Sequence, residues 1–415
     1  MKFFFGKQRE IDTLLDNIHL LEKRNDEYLH LTINENQLSR TANSLLNSKL
    51  GERYFFGGGD ANNVVDFGTF TFVGLKAVED ISAAAENVIS KRLGASVVNL
   101  NCLSGIHAMM CAILSTTEPG DTIMSINPIH GGHAATKGII ERTGRKCIFA
   151  DFNLVSMTID EEKTAETFHK NHAVALYVDI SCYIQPVNLL KIRESLGPTP
   201  LIIFDASHTL GLILGGEFMD PLRDGADIVC SNTHKTLAGP HRGLVVFKDK
   251  LLGEKSVDIM RQSLYSSIQT NQLLALAVTI LEYDAYGATY AKKVIQNSQQ
   301  LGLELSNLGY SVRKTDDGFY SKNEQVHLLL NSLGNYSDIY RRFVENHVST
   351  NFLNCLGGEY FARLGTQEIT RRGMVEKDMK TVANIIDKII KGKNPKAEVI
   401  TFTKKFKNIK YSFDK

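Results

Sequence analysis

Asp227-Ile228-Val229-Cys230-Ser231-Asn232-Thr233-His234-Lys235-Thr236-Leu237-Ala238-Gly239-Pro240 is the stretch on which the reading of this chain turns. Its apolar run, Ile228 to Cys230, predicts the end of a buried strand. A polar turn follows, with Lys235 in its middle and a Gly-Pro break behind it. Burial at a strand end strips hydration from a lysine ammonium and lowers its pKa. The free amine needed for a Schiff base then becomes accessible. A lone loop lysine is more commonly just solvated, so neighbouring stretches must decide.

Upstream, Leu201-Ile202-Ile203-Phe204-Asp205 predicts an apolar strand ending in a carboxylate, with Ala206-Ser207-His208 next. Open α/β sheets place ligand groups at such strand ends; an Asp that merely caps the turn is the plainer reading. Val97 to Leu100 predicts a strand, and Ser104-Gly105 opens a helix carrying Met109, Met110, Ile113 and Leu114. Free N–H groups at a helix start favour an anion, although a serine there also serves as an ordinary N-cap. The strand Thr122 to Ile126 runs into His130-Gly131-Gly132-His133. A flat imidazole at a strand end can stack on a planar ring. No further His, Cys or Asp cluster has metal-ligand spacing, so no metal is expected.

Further expected elements are helices over 76–93 and 189–196 and a strand from Ala173 to Asp179. This alternation from about 95 to 245 predicts a mainly parallel sheet covered on both faces. Helical spacing over 269–300 leads to a second domain. There, strands are expected at 311–313 and 326–330, and helices at 336–346 and 375–391. Arg363-Leu364-Gly365-Thr366 lies between them; an arginine there can fork onto a carboxylate, or serve a structural ion pair equally well. Residues 8–24 predict an amphipathic helix, either an arm on a partner subunit or a simple cap. Leu31 to Asn36 reads as a polar loop, Gly57-Gly58-Gly59 beside Tyr54 as either a glycine-rich ligand wall or a plain turn, and Gly392 to Lys415 as an edge strand or mobile tail.

The 415 residues suggest about two domains. The expected division is 1–30 as a helical arm, 31–275 as a large domain and 276–415 as a small one. A net charge of +1 gives no field for nucleic acid or membrane. No stretch approaches 18 consecutive apolar residues. Six cysteines without a CxxC pair read as reduced core thiols of a cytoplasmic protein.

In order and spacing, these stretches resemble the serine hydroxymethyltransferase family of fold type I pyridoxal-phosphate enzymes, from about residue 31 to 390. Thr233 to Pro240, His130 to His133, Asp205 to His208, Arg363 to Thr366 and Ile369-Thr370-Arg371-Arg372-Gly373 carry the resemblance. It implies an α/β fold: a large domain with a mainly parallel seven-stranded sheet under helices, and a smaller α+β C-terminal domain. It implies pyridoxal 5'-phosphate held by Lys235 as a Schiff base, with Asp205 on the pyridine nitrogen and His208 near the phenolic oxygen. His130 would stack on the ring, and Ser104, Gly105 and Thr233 would help bind the cofactor. His234 would face the reacting amino acid and Arg363 would grip its carboxylate. Asn34, Glu35 and Tyr54 would reach the substrate end of the site. Family members are dimers or tetramers with shared active sites, acting on amino-acid and aldehyde substrates.

The chain departs from the family on the folate side. Asn47 stands at the position of the family's folate-linked glutamate, and Glu52 is the only nearby carboxylate. The tyrosine pair has lost a hydroxyl, Ile106 replaces a phosphate-binding serine, and Thr270-Asn271 replaces a glycine pair. The implied activity is cleavage and formation of the Cα–Cβ bond of β-hydroxy amino acids through a glycine carbanion, of aldolase or transaldolase type without folate. Folate-dependent hydroxymethyl transfer using tetrahydrofolate stays open as an alternative. So do transamination and a weakly catalytic cofactor-binding subunit.

Overall fold

The computed structural model describes residues 2–154 and 156–414. At its centre is a seven-stranded sheet. From one edge to the other, its strands are Val97–Cys102, Gly243–Phe247, Ile228–Asn232, Leu201–Asp205, Ala173–Val178, Thr122–Ser125 and Lys146–Phe149. Only Gly243–Phe247 runs antiparallel to its neighbours. The central strands are apolar on both faces because helices cover both. Ile228, Val229 and Cys230 are all fully buried, as a doubly covered sheet requires. The parallel strands therefore deliver Asp205, Asn232 and the residues after Val178 to one edge of the sheet.

Several helix limits follow directly from local chemistry. The helix Lys76–Leu93 stops at Gly94, which takes φ +65°, a left-handed conformation that glycine tolerates. Leu189–Leu196 starts where the Asn188 side chain accepts from the Lys191 N–H. The longest helix, Thr270–Asn307, runs straight through the expected domain boundary at 275/276. It packs on Lys76–Leu93 on one side and on Glu376–Ile390 on the other. One helix thus serves both cores, so composition shows no break there.

A three-stranded antiparallel sheet, Gln325–Leu329, Glu359–Gly365 and Asn351–Cys355, forms the second unit with Tyr336–Glu345 and Glu376–Ile390. The expected strand at 311–313 is reduced to a single bridge at Val312. Leu31 to Asn36 is a loop as expected, but its apolar residues are not exposed: Leu31 and Ile33 are fully buried, and the preceding Leu29–His30 pairs in parallel with Val348–Ser349. The C-terminal stretch is neither edge strand nor loose. Lys396–Thr403 is helical, and Asp414 accepts the N–H groups of Arg40 and Thr41.

Arg371 ties these pieces together. Its guanidinium donates to the carbonyls of Lys410 and Tyr411 and to Glu282 at 3.1 Å, with both ionic side chains fully buried. Glu282 also accepts the Phe413 N–H. Arg371→Ala leaves Glu282 as an uncompensated buried charge. We expect it to lower unfolding free energy by about 3–5 kcal/mol, read from urea denaturation.

All six cysteines are free thiols. Folding gathers Cys102, His107 and Cys111, which the linear spacing did not suggest. The His107 nitrogens there already face the Leu103 N–H and the Leu264 carbonyl. Among the described residues, no helix is long and apolar enough to cross a membrane.

Candidate active site

Lys235 sits in a loop locked at both ends. The Thr233 hydroxyl donates to the Pro240 carbonyl, and Gly239 donates back to the Thr233 carbonyl. Thr236 accepts the Gly211 N–H, and the Tyr283 hydroxyl donates to the Thr236 carbonyl. Asn36 donates to the Lys235 carbonyl at 2.7 Å. Ala238 adopts φ +59°, a conformation costly for a side chain that the surrounding bonds impose. This closed loop turns the Lys235 side chain into a cleft of about 270 Å³ at the C-terminal sheet edge.

Asp205, His208, Asn232, His234, Ser104 and Gly105 line the same cleft. Lys235 Nζ lies 3.1 Å from His208 Nε2. Burial pushes the Lys235 amine down to about 8, with Asp205 opposing and the Arg363 charge assisting. Burial, then the Lys235 charge, holds His208 well below the usual imidazole range. Burial and the neighbouring His241 bring His234 to about 3; the two rings stack with centroids 3.9 Å apart. Asp205 accepts from the Tyr177 hydroxyl at 2.7 Å and the Ser207 N–H at 2.8 Å, which fixes its carboxylate.

Ser104 is the N-cap of the ten-residue helix Gly105–Leu114, its hydroxyl accepting from the His107 N–H. The helix start points into the cleft and offers N–H groups and the positive dipole end to an anion. A Cβ on Gly105 would come within 2.8 Å of the Asn232 side chain, so glycine lets helix and strand end meet.

Arg363 lies on the strand Glu359–Gly365, beside the cleft wall. Its Nη1 donates to the Ser181 carbonyl at 2.9 Å and contacts Cys182 Sγ at 3.2 Å. Its Nε has no partner among the described residues.

Five expected residues fall elsewhere. His130 does not face the cleft; it stacks on Phe152 at 5.0 Å, and His133 lines the cleft instead. The loop coils back because Gly131 takes φ +89° and Gly132 presses against the Ile126 carbonyl. Thr233 is fully buried with its hydroxyl committed to the loop closure, and Asn232 takes its place on the wall. Glu35 is exposed, 3.9 Å from His30, and Asn34 is half-buried outside the cleft; the Leu29–His30 pairing with Val348–Ser349 draws that segment onto the second unit. Tyr54 packs with Phe70 and Phe72 in a surface aromatic group, because its loop rests on the Val64–Asp66/Thr71–Val73 hairpin. The three glycines before that hairpin are not part of the cleft wall either. Gly58 gives room to the Glu79 side chain.

The sequence reading missed Asp179 and Glu324. Asp179 follows the strand Ala173–Val178, lines the cleft, and accepts the N–H groups of Ile126 and His133 and the Thr136 hydroxyl. Burial raises it to about 7. The strand-end rule that selected Asp205 would have found it. Glu324 is fully buried, 3.9 Å from His208 Nδ1, and burial raises it to about 7. It reaches the site only through domain packing, so no local pattern marks it.

The cleft suits a planar phosphorylated pyridine aldehyde. It offers an amine, a flat imidazole in His133, a carboxylate and a helix start for a phosphate.

A family model described as serine hydroxymethyltransferase matches residues 8–386. Fluorothreonine transaldolase of Streptantibioticus cattleyicolor is 34% identical over 93% of this chain, which spans 61% of that relative's length. Serine hydroxymethyltransferase of Archaeoglobus fulgidus is 32% identical, covering 92% of this chain and 89% of that protein. A crystal structure of L-threonine transaldolase from Pseudomonas fluorescens, in its internal aldimine state, superposes with TM-score 0.90 and 28% identity. That match covers 100% of this chain and 96% of the other. With its fold, its lysine loop and a family match over nearly its full length, the chain belongs to the serine hydroxymethyltransferase family of fold type I pyridoxal-phosphate enzymes.

Proposed function

We propose that this enzyme cleaves and forms the Cα–Cβ bond of β-hydroxy amino acids as a folate-independent threonine aldolase or transaldolase. The observation that carries the reading is the Lys235 amine, depressed to about 8, in one cleft with Asp205, His208 and His133. Pyridoxal phosphate, when bound, supplies an electron sink for bonds at the amino-acid Cα. Lys235 would hold its aldehyde, Asp205 would keep a proton on its ring nitrogen, and His133 would offer its flat imidazole to the ring from the cleft wall. Gly105 and the helix start would meet its phosphate, with Ser104 holding that helix start in shape. Arg363 orients the substrate carboxylate and so selects which Cα bond weakens. His234, neutral near pH 7 in this environment, would face the reacting amino acid and accept a hydrogen bond from its β-hydroxyl.

The folate side supports the transaldolase version. Glu52 pairs with Arg53 at 3.7 Å on the surface, and Asn47 offers no carboxylate. The two transaldolase relatives carry that chemistry in their names. Threonine cleavage without tetrahydrofolate, with the glycine unit passed to an added aldehyde, is the expected result. Serine turnover strictly dependent on tetrahydrofolate would favour the hydroxymethyltransferase alternative.

Arg363→Lys should raise the amino-acid KM by about 10- to 100-fold, since one ammonium cannot reproduce the fork. Steady-state kinetics with bound cofactor quantified alongside would check it.

We further propose a cytoplasmic homo-oligomer. The first helix, Lys2–Asn25, exposes Ile11, Leu14, Leu15, Ile18 and Leu21, an apolar row suited to a second copy. Tyr54 would then serve a neighbouring subunit's cleft, with Asn34 and Glu35 near its rim. Light scattering would report the assembly.

A further inference from the structure

Two thiols from different units meet beside Arg363. Cys182 follows the strand Ala173–Val178 of the large sheet, and Cys355 ends the strand Asn351–Cys355 of the small one. Their sulfurs are 3.9 Å apart. The approach is held by the fold: the Leu356 N–H donates to the Ile129 carbonyl at 2.7 Å, and Leu356 and Phe361 pack around Cys182. Arg363 Nη1 touches Cys182 Sγ at 3.2 Å, and the Ser181 hydroxyl lies 3.6 Å away. The hydrogen bond from Cys355 and then the Arg363 charge pull the Cys182 thiol below the usual range, while Cys355 is pushed up.

We propose that Cys182 and Cys355 form a reversible disulfide, an oxidation site that joins the two units and changes the charge presented to Arg363. A small peroxide is the fitting oxidant, because Cys182 is only 3% exposed while Cys355 is half-buried. The Cys182 thiolate attacks one peroxide oxygen, the O–O bond breaks, and hydroxide leaves, giving a sulfenic acid. Cys355 gives its proton to that hydroxide, its sulfur attacks the Cys182 sulfur, and the S–O bond breaks with loss of hydroxide, which takes up a proton. Two thiols and one peroxide become one disulfide and two waters. The sulfurs, 3.9 Å apart, have to close to a bond of about 2.05 Å.

The consequence rests on the reading of Arg363 as the carboxylate grip. In the reduced protein, a thiolate at Cys182 competes for the guanidinium. The disulfide sulfur is neutral, so oxidation frees that charge for the amino-acid carboxylate. The amino-acid KM should fall by about tenfold, the scale of one partly screened charge contact.

The test uses the full-length, cofactor-loaded enzyme treated with hydrogen peroxide. Peptide mapping should find a Cys182–Cys355 crosslink, with loss of two hydrogens in mass, reversed by dithiothreitol. Cys355→Ser should instead trap sulfenic acid on Cys182, detectable with dimedone. Cys182→Ala should show the lower KM without peroxide and no response to it. Absence of the crosslink and of dimedone labelling overturns the oxidation site. A crosslink that forms while KM stays fixed in both wild type and Cys182→Ala removes Arg363 from the proposed substrate grip and leaves the oxidation site standing.

Discussion

Lys235→Ala is expected to leave a folded protein that binds no cofactor covalently and loses activity on the order of 10⁴-fold or more. The loop around Lys235 is closed by Thr233, Pro240, Tyr283 and Asn36. None of those bonds uses the lysine side chain, so truncation should spare the backbone. Wild-type protein mixed with pyridoxal phosphate should develop a visible absorbance band that borohydride fixes to Lys235; the variant should not. The pH dependence has a definite sign. The amine attacks only when unprotonated, and burial has brought its pKa from the usual lysine range down to about 8. Loading of cofactor-free enzyme should therefore quicken as pH rises to about 8 and level off above it. A rate still climbing tenfold per pH unit toward 10 would show an ordinary solvated lysine and sink the assignment.

Asp205→Asn should cut kcat by about 10²–10³-fold with modest change in amino-acid KM. The carboxylate is held by Tyr177 and by the Ser207 N–H, and it ends a strand whose register against Ile228–Asn232 is fixed by main-chain bonds. An amide of the same shape keeps the packing but cannot stabilise a protonated ring nitrogen. The loss should therefore appear in the chemical step, with cofactor still bound. Measuring kcat, KM and cofactor content together separates this from unfolding. A variant with near wild-type kcat would remove Asp205 from the ring partner's role.

The amino-acid sequence by itself determined the alternation of apolar strands and amphipathic helices, and with it the doubly covered sheet. It also determined the strand-end positions of Asp205 and Lys235. Those features are local: an apolar run, a turn residue or a cap acts within a few residues, and Gly94 stopped its helix where the pattern said it would. The tertiary structure alone decided which histidine of His130 to His133 faces the cleft. Both flank the same glycines, and only the Gly131 turn and the Asp179 bond to the His133 N–H choose between them. It alone brought in Glu324, and it alone set Cys182 against Cys355, 173 residues away along the chain. It also drew Leu29 to Ile33 into the second unit, where pairing with Val348–Ser349 overrode a polar-looking segment. Those outcomes depend on which surfaces pack together, and packing is a property of distant residues meeting that no local period encodes.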